Sequence, residues 1–166
     1  DIDGFRHDDL RTPALQFAGP RLTNSESIAY AGQVPAIMVR SGTVRHRRNN
    51  EVRAAYSLDG GSSWTSFANE PPAGDGGGHI TIAADGKRVI WQTRNGGHWL
   101  SADFGGRWQV VKGLPKHAVV EADKLEAGVY YGFDPVSGAL YVSGDGGVEF
   151  RQAEAGVGAV GDWFRA

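Results

Sequence analysis

The 166-residue chain has no cysteine. Disulfides, thiolate metal centres and cysteine nucleophiles are thereby excluded, while the compartment stays open, because secreted enzymes also fold without bridges. No stretch approaches the ~20 apolar residues that a membrane span needs. A sustained helical apolar period is missing as well, and 25 glycines with 7 prolines argue against long helices. There is no excess of basic charge: 17 Lys+Arg stand against 19 Asp+Glu, a net charge of -2, which argues against a nucleic-acid partner and for a neutral one. The chain opens at Asp1 without a basic-then-apolar leader, and its one methionine is Met38. It reads as a processed or truncated piece of something longer.

Metal and phosphate chemistry find little support. His7, His46, His79, His98 and His117 never fall at metal-ligand spacing, so neither a metal nor a cofactor is expected. Asp59 and Glu70 copy the ends of a calcium loop, but the intervening oxygen ligands and central glycine are missing. Gly74-Asp75-Gly76-Gly77-Gly78 leads into a strand and lacks the Lys-Ser/Thr of a phosphate loop. Arg45-His46-Arg47-Arg48 reads as a solvated basic loop.

What the sequence does contain is a repeat. Ser57-Leu58-Asp59-Gly60-Gly61-Ser62-Ser63-Trp64 returns as Ser101-Ala102-Asp103-Phe104-Gly105-Gly106-Arg107-Trp108 and as Ser143-Gly144-Asp145-Gly146-Gly147-Val148-Glu149-Phe150, at spacings of 44 and 42 residues. That period is the size of one four-stranded propeller blade. The pattern Ser-x-Asp-x-Gly-x-x-aromatic resembles the Asp-box of sialidases, sortilin-like receptors and several glycoside hydrolases. In a tight turn the carboxylate accepts hydrogen bonds from turn amides, the glycine supplies positive φ, and the aromatic closes over the turn. Asp59, Asp103 and Asp145 are accordingly read as turn-fixing residues. β-Branched and aromatic segments between the boxes read as strands, giving blades at 26–68, 79–112 and 117–153. Residues 1–25 read as the end of a preceding blade and 156–166 as the start of a following one. The fold expected is all-β, about half of a seven-bladed β-propeller.

The boxes occupy the turn between the third and fourth strands. A ligand site is therefore expected at the opposite end, on the loops 43–50, 69–78, 93–97, 113–117 and 134–138, with the N-terminus beside them. Trp91, at a strand end, is a candidate for stacking on a sugar face. Asp1, Asp3, Asp8 and Asp9 pack four carboxylates into nine residues. Glycoside hydrolysis uses two carboxyl groups, one to protonate the leaving oxygen and one to activate water or attack directly.

Gly4-Phe5-Arg6-His7-Asp8-Asp9-Leu10, followed by Pro13, Phe17, Leu22-Thr23-Asn24 and Ser27-Ile28-Ala29-Tyr30-Ala31-Gly32, resembles the opening of the C-terminal propeller in xyloglucanases of glycoside hydrolase family 74. Val39-Arg40-Ser41-Gly42, Gly76-Gly77-Gly78, Val89-Ile90-Trp91, Val120-Glu121-Ala122-Asp123-Lys124 and Tyr131-Gly132-Phe133 extend the resemblance along the chain. It implies two tandem seven-bladed propellers with a cleft between them, each contributing one catalytic Asp to inverting hydrolysis of a β-1,4-glucan backbone. By this resemblance Asp1 is the general acid, Phe5, Arg6 and His7 contact substrate, and the partners are xyloglucan and the second propeller, in an extracellular setting. Asp3 stands where the family has Gly, so an added carboxylate is expected either to raise the pKa of Asp1 or to point elsewhere. Asp8 and Asp9 are poor substitutes for the opposing Asp, because the segment is expected to continue as a strand. The isolated chain is therefore expected to be inactive. The alternative is a noncatalytic Asp-box module that binds glycans or proteins; a sialidase is disfavoured, since Phe5-Arg6 continues as His7-Asp8 instead of Ile-Pro.

Overall fold

The computed structural model describes residues 3–45 and 51–154. All the regular structure in it is β, and it is organised as a β-propeller. A short antiparallel pair, β1 (Phe5–Arg6) and β2 (Leu15–Gln16), precedes three four-stranded antiparallel sheets. The first sheet is β3 (Asn24–Tyr30), β4 (Met38–Thr43), β5 (Ala54–Ser57) and β6 (Thr65–Ser66). The second is β7 (His79–Ile82), β8 (Val89–Thr93), β9 (Gly97–Ser101) and β10 (Gln109–Val110). The third is β11 (Val119–Ala122), β12 (Tyr130–Phe133), β13 (Leu140–Ser143) and β14 (Arg151–Gln152). In each sheet the strands lie side by side in chain order, the arrangement of a propeller blade.

Among the described residues no named strand of one sheet is laddered to a named strand of the next, and the blades are joined by side chains together with a few backbone bonds, such as those from the Lys112 amide to the Val148 carbonyl and from the Phe150 amide to the Lys112 carbonyl. Alternation along the strands turns each blade into a two-faced wedge. In β8, Val89 and Trp91 pack with Ile80 and Ile82 against Ala31, Val39, Ala54 and Phe67 of the first blade. Ile90, between them, points the other way and joins Leu100 and Val111 against Val120, Tyr130 and Phe150 of the third. Burying aliphatic and aromatic groups on both faces contributes about 1.5–3 kcal/mol per fully buried side chain.

Polar pins fix the innermost strands. The Ile80 amide donates to Ser27 Oγ at 3.1 Å, and the Ala122 amide donates to Thr81 Oγ1, also at 3.1 Å. Glu121 accepts from Thr81 Oγ1 at 3.2 Å and lies 2.8 Å from His79 Nε2. Lys124 Nζ reaches past the middle blade to the Tyr30 carbonyl at 3.0 Å, so the first and third blades meet near the propeller axis. The outer flanks of the unit stay apolar and open: Ile28 and Tyr30 on the first blade, Val119, Tyr131 and Val142 on the third.

The three boxes are built alike. Ser57 Oγ donates to Asp59 Oδ1 at 2.8 Å and accepts the Gly61 amide at 2.8 Å, while Asp59 takes the Ser63 amide and hydroxyl at 2.8 and 2.6 Å. Ser101 with Asp103 and Ser143 with Asp145 repeat the serine–aspartate bond at 2.8 Å. Gly61, Gly105 and Gly147 all have positive φ, as the turn demands. The position before them is Gly60 and Gly146 in two boxes but Phe104, with φ of 49°, in the other. A bulky residue in that region is strained by about 1–2 kcal/mol, and stacking of its ring on Tyr56, with centroids 4.2 Å apart, offsets the strain.

The hydroxyl and amide of Ser63, with the hydroxyl of Ser57, hold the Asp59 carboxyl down at about 2. The Arg107 amide lowers Asp103, and the Ser143 hydroxyl lowers Asp145. A depressed folded-state pKa gives stability that is complete above the ordinary value of 3.8 and is lost as pH falls through the folded value. The melting temperature should thus drop between about pH 4 and 2, and Asp59→Asn should flatten part of that slope. An Asp59→Asn chain with the wild-type acid profile would contradict the turn-fixing role.

Candidate functional site

Strand register shows which end carries the loops. Asn24 pairs with Thr43 at one end of the first blade, whereas Tyr30 pairs with Met38, and Met38 with Ser57, at the other. The Asp-boxes therefore project from one end and the N-terminal segment lies at the other, where Asp3 bridges Asn24 in a parallel pair. The loops 69–78 and 93–97 share that end. Glu26 Oε2 accepts the Gly78 amide at 2.7 Å and Glu26 Oε1 pairs with Arg94 at 2.7 Å. The Gly77 amide donates to the Gly42 carbonyl at 2.8 Å, and Asn95 Nδ2 donates to Asp75 Oδ2 at 2.9 Å.

The glycine run at 76–78 is a knot in this loop face, not a ligand cradle. All three residues have positive φ, and a Cβ on Gly76 would lie 2.2 Å from the Arg53 side chain, one on Gly77 2.6 Å from Glu26. Arg53 is itself locked, donating to the Asp75 carbonyl and pairing with Glu70 at 2.6 Å. Of the other loops expected to form the site, 46–50 lies outside the described residues, while the 134–138 turn is closed on Asp134, which takes the Val136 amide at 3.0 Å and the Ser137 hydroxyl at 2.7 Å.

The site residues expected from sequence are distributed unevenly. Asp1 lies outside the described residues. Phe5 is 47% exposed and His7 is exposed, while Arg6 is half-buried and pairs with Asp8 at 2.8 Å. Phe5 lines a cavity of about 270 Å³ together with Gly4, Phe17, Ser25, Glu26 and Arg40. Trp91 corrects the sequence reading. It is 0% exposed, its indole N–H donates to the Gly77 carbonyl at 2.7 Å, and it packs among Phe67 and Trp108, so it has no free face for a sugar. Additional blades in a longer chain could only bury it further.

A second correction concerns Asp8 and Asp9. The segment does not continue as a strand beyond Arg6: it bends at once, and Asp9 caps the turn by accepting the Arg11 amide at 2.9 Å and the Arg11 guanidinium at 3.1 Å. That guanidinium holds the Asp9 carboxyl below the usual carboxylate range. Both aspartates are engaged with neighbouring arginines instead of facing the cavity.

Sequence reasoning missed the most buried charge among the described residues. Arg40, in the middle of β4, is 1% exposed and forms a close ion pair with Asp3, whose side chain is equally buried. Its guanidinium lies 4.6 Å from the Phe17 ring centre and 4.7 Å from that of Trp64, and donates to the Pro20 carbonyl at 2.6 Å. Asp3 also accepts from Ser25 Oγ at 3.0 Å. Of the two outcomes expected for Asp3, the structure has its carboxylate turned into this pair. A signal was present in the sequence, an arginine inside an otherwise buried strand, but its partner lies 37 residues away.

No protein-family model matches the chain. A xyloglucanase from a Paenibacillus species is 36% identical over 93% of the chain, which spans 15% of that protein. The crystal structure of a GH74 xyloglucanase from Xanthomonas campestris superposes with a TM-score of 0.92 at 57% identity, over 95% of this chain and 22% of that one. A GH74 enzyme from Niastella koreensis gives a TM-score of 0.72 at 29% identity, over 88% of this chain and 20% of that one. The chain spans 15–22% of the length of these relatives and is similar to a segment of each over 88–95% of its own length.

Proposed function

We propose that this chain is one segment of an inverting endo-β-1,4-glucanase acting on xyloglucan, bringing one catalytic carboxyl and part of one wall of the cleft. The observation that carries this reading is the 57% identity and TM-score of 0.92 to a GH74 xyloglucanase, sustained over 95% of the chain. Asp1 is the proposed general acid, donating its proton to the departing glucosyl oxygen, and Phe5, Arg6 and His7 flank it on the substrate side. Exposure of Phe5 and His7 at the loop end supports that placement.

Inversion requires a second carboxylate about 6.5–9.5 Å away with a water between the two. We assign that group to a second propeller of the same longer chain. Asp3, Asp8 and Asp9 are all committed to arginines, which supports looking for it elsewhere. The open apolar flanks are where further blades of the same propeller would pack. Secretion fits a polymeric substrate that cannot enter a cell.

Reducing-sugar release tests the assignment. The full-length enzyme should hydrolyse xyloglucan, whereas the purified 166-residue chain should release none above background. Hydrolysis by the short chain alone would overturn the two-propeller site, and a full-length protein that binds xyloglucan without cleaving it would favour a noncatalytic glycan-binding module.

A further inference from the structure

We propose that Asp3 and Arg40 form a positioning pair for the Asp1 carboxyl, a buried clamp that sets where the N-terminal segment lies against the first blade. This rests on the reading of Asp1 as the general acid. Two features show that the pair is costly. Asp3 has a φ of 54°, a conformation that few residues other than glycine adopt and that aspartate tolerates better than most. Both side chains are 1% exposed, and Asp3 Oδ2 and Arg40 Nε have no hydrogen-bond partner.

A buried ion pair is poor value for stability alone, because desolvation of both charges consumes most of the attraction and apolar groups of similar volume often do as well or better. What the pair supplies is geometry. Arg40 cannot swing: Phe17 and Trp64 flank its guanidinium, and the Pro20 carbonyl takes one N–H. Asp3 cannot swing either, being tied to Arg40 and Ser25 and bridged through its backbone to Asn24. Gly4 is pressed against the Phe17 ring, where a Cβ would come within 2.5 Å, and its carbonyl accepts the Phe17 amide at 3.0 Å. The chain is thus fixed at residues 3 and 4. Asp1 is only two residues further on, a reach of at most about 7 Å. Proton donation requires the acid within hydrogen-bond distance of the leaving oxygen, and a displacement of about 1 Å costs roughly a hundredfold in rate.

The test uses the full-length enzyme with Asp3→Asn, Arg40→Met and the double variant Asp3→Gly/Arg40→Met, which removes both charges and the positive-φ side chain together. Thermal unfolding is measured alongside kcat and KM on xyloglucan, and alongside turnover of an aryl β-glycoside of a xyloglucan oligosaccharide whose dinitrophenolate leaving group needs little protonation. The single variants should lose about tenfold or more in kcat on xyloglucan with KM within roughly twofold, and far less on the aryl substrate. The double variant should regain wild-type thermal stability but not kcat on xyloglucan. Recovery of kcat together with stability would reduce the pair to a structural role and sink the inference, as would equal losses on both substrates. If Arg40→Met does not fold, Asp3→Asn and the double variant decide the matter; if Asp3→Asn does not fold, Arg40→Met and the double variant do. Failure of the underlying reading has its own signature: Asp1→Ala would then leave turnover unchanged.

Discussion

Replacing Trp91 with alanine is expected to destabilise the protein by about 3–5 kcal/mol, the range for removing a large aromatic from a core that cannot collapse around the space. The position justifies the upper part of that range. Trp91 is completely buried at the seam of the first and second blades, its ring centre 6.3 Å from Phe67 and 6.0 Å from Trp108. Those rings contact further aromatics in turn, Phe67 lying 6.1 Å from Tyr56 and 6.0 Å from Phe104. Alanine would also leave the Gly77 carbonyl without its indole donor, in a segment where three positive-φ glycines allow little adjustment. An unmet buried acceptor adds about 1–3 kcal/mol if no water enters. The measurement is the urea midpoint of the chain, with KM for xyloglucan determined in the full-length enzyme carrying the same change. A stable Trp91→Ala protein with a raised KM would return Trp91 to the substrate surface and contradict its core position.

The second large effect is expected at Asp1. In the full-length enzyme, Asp1→Ala should lower kcat on xyloglucan by about 10²–10⁴-fold, the usual worth of a positioned proton donor, while the affinity for xyloglucan stays close to wild type. Binding should survive because a long polysaccharide is held by many contacts along the cleft, and the leaving oxygen needs the proton chiefly as its bond breaks. Turnover of a substrate with a dinitrophenolate leaving group should be largely retained. Loss of binding in parallel with kcat would point to a structural fault, and full activity would remove Asp1 from the mechanism. Asp3 is no substitute donor, because its carboxylate is spent on Arg40.

How much of this was legible in the sequence depends on how local the determining interactions are. The Asp-boxes could be read directly, because serine, aspartate and glycine within eight residues make the whole turn among themselves. Even there the Phe104 box had a hidden feature, since a bulky residue at positive φ is set against Tyr56 and Phe67 of the neighbouring blade. The Asp8–Asp9 segment went wrong for the opposite reason: a strand was expected from pattern, and a two-residue pairing of Asp9 with Arg11 turned the chain instead. Trp91 shows the limit most clearly. Its place at the end of a strand suggested exposure, yet which face of β8 meets which blade depends on how the wedges stack.

The sequence by itself determined the β architecture, the blade period and the end of each blade that carries the boxes, because these follow from strand composition and from turns closed by near neighbours. Only the tertiary structure decided the pairing of Asp3 with Arg40, the burial of Trp91 and the knotting of the glycine loop on Glu26 and Arg53. Those contacts join residues tens of positions apart, and no local preference specifies them: they exist because burying both faces of each blade brings particular side chains together and forces every buried charge to find its partner there.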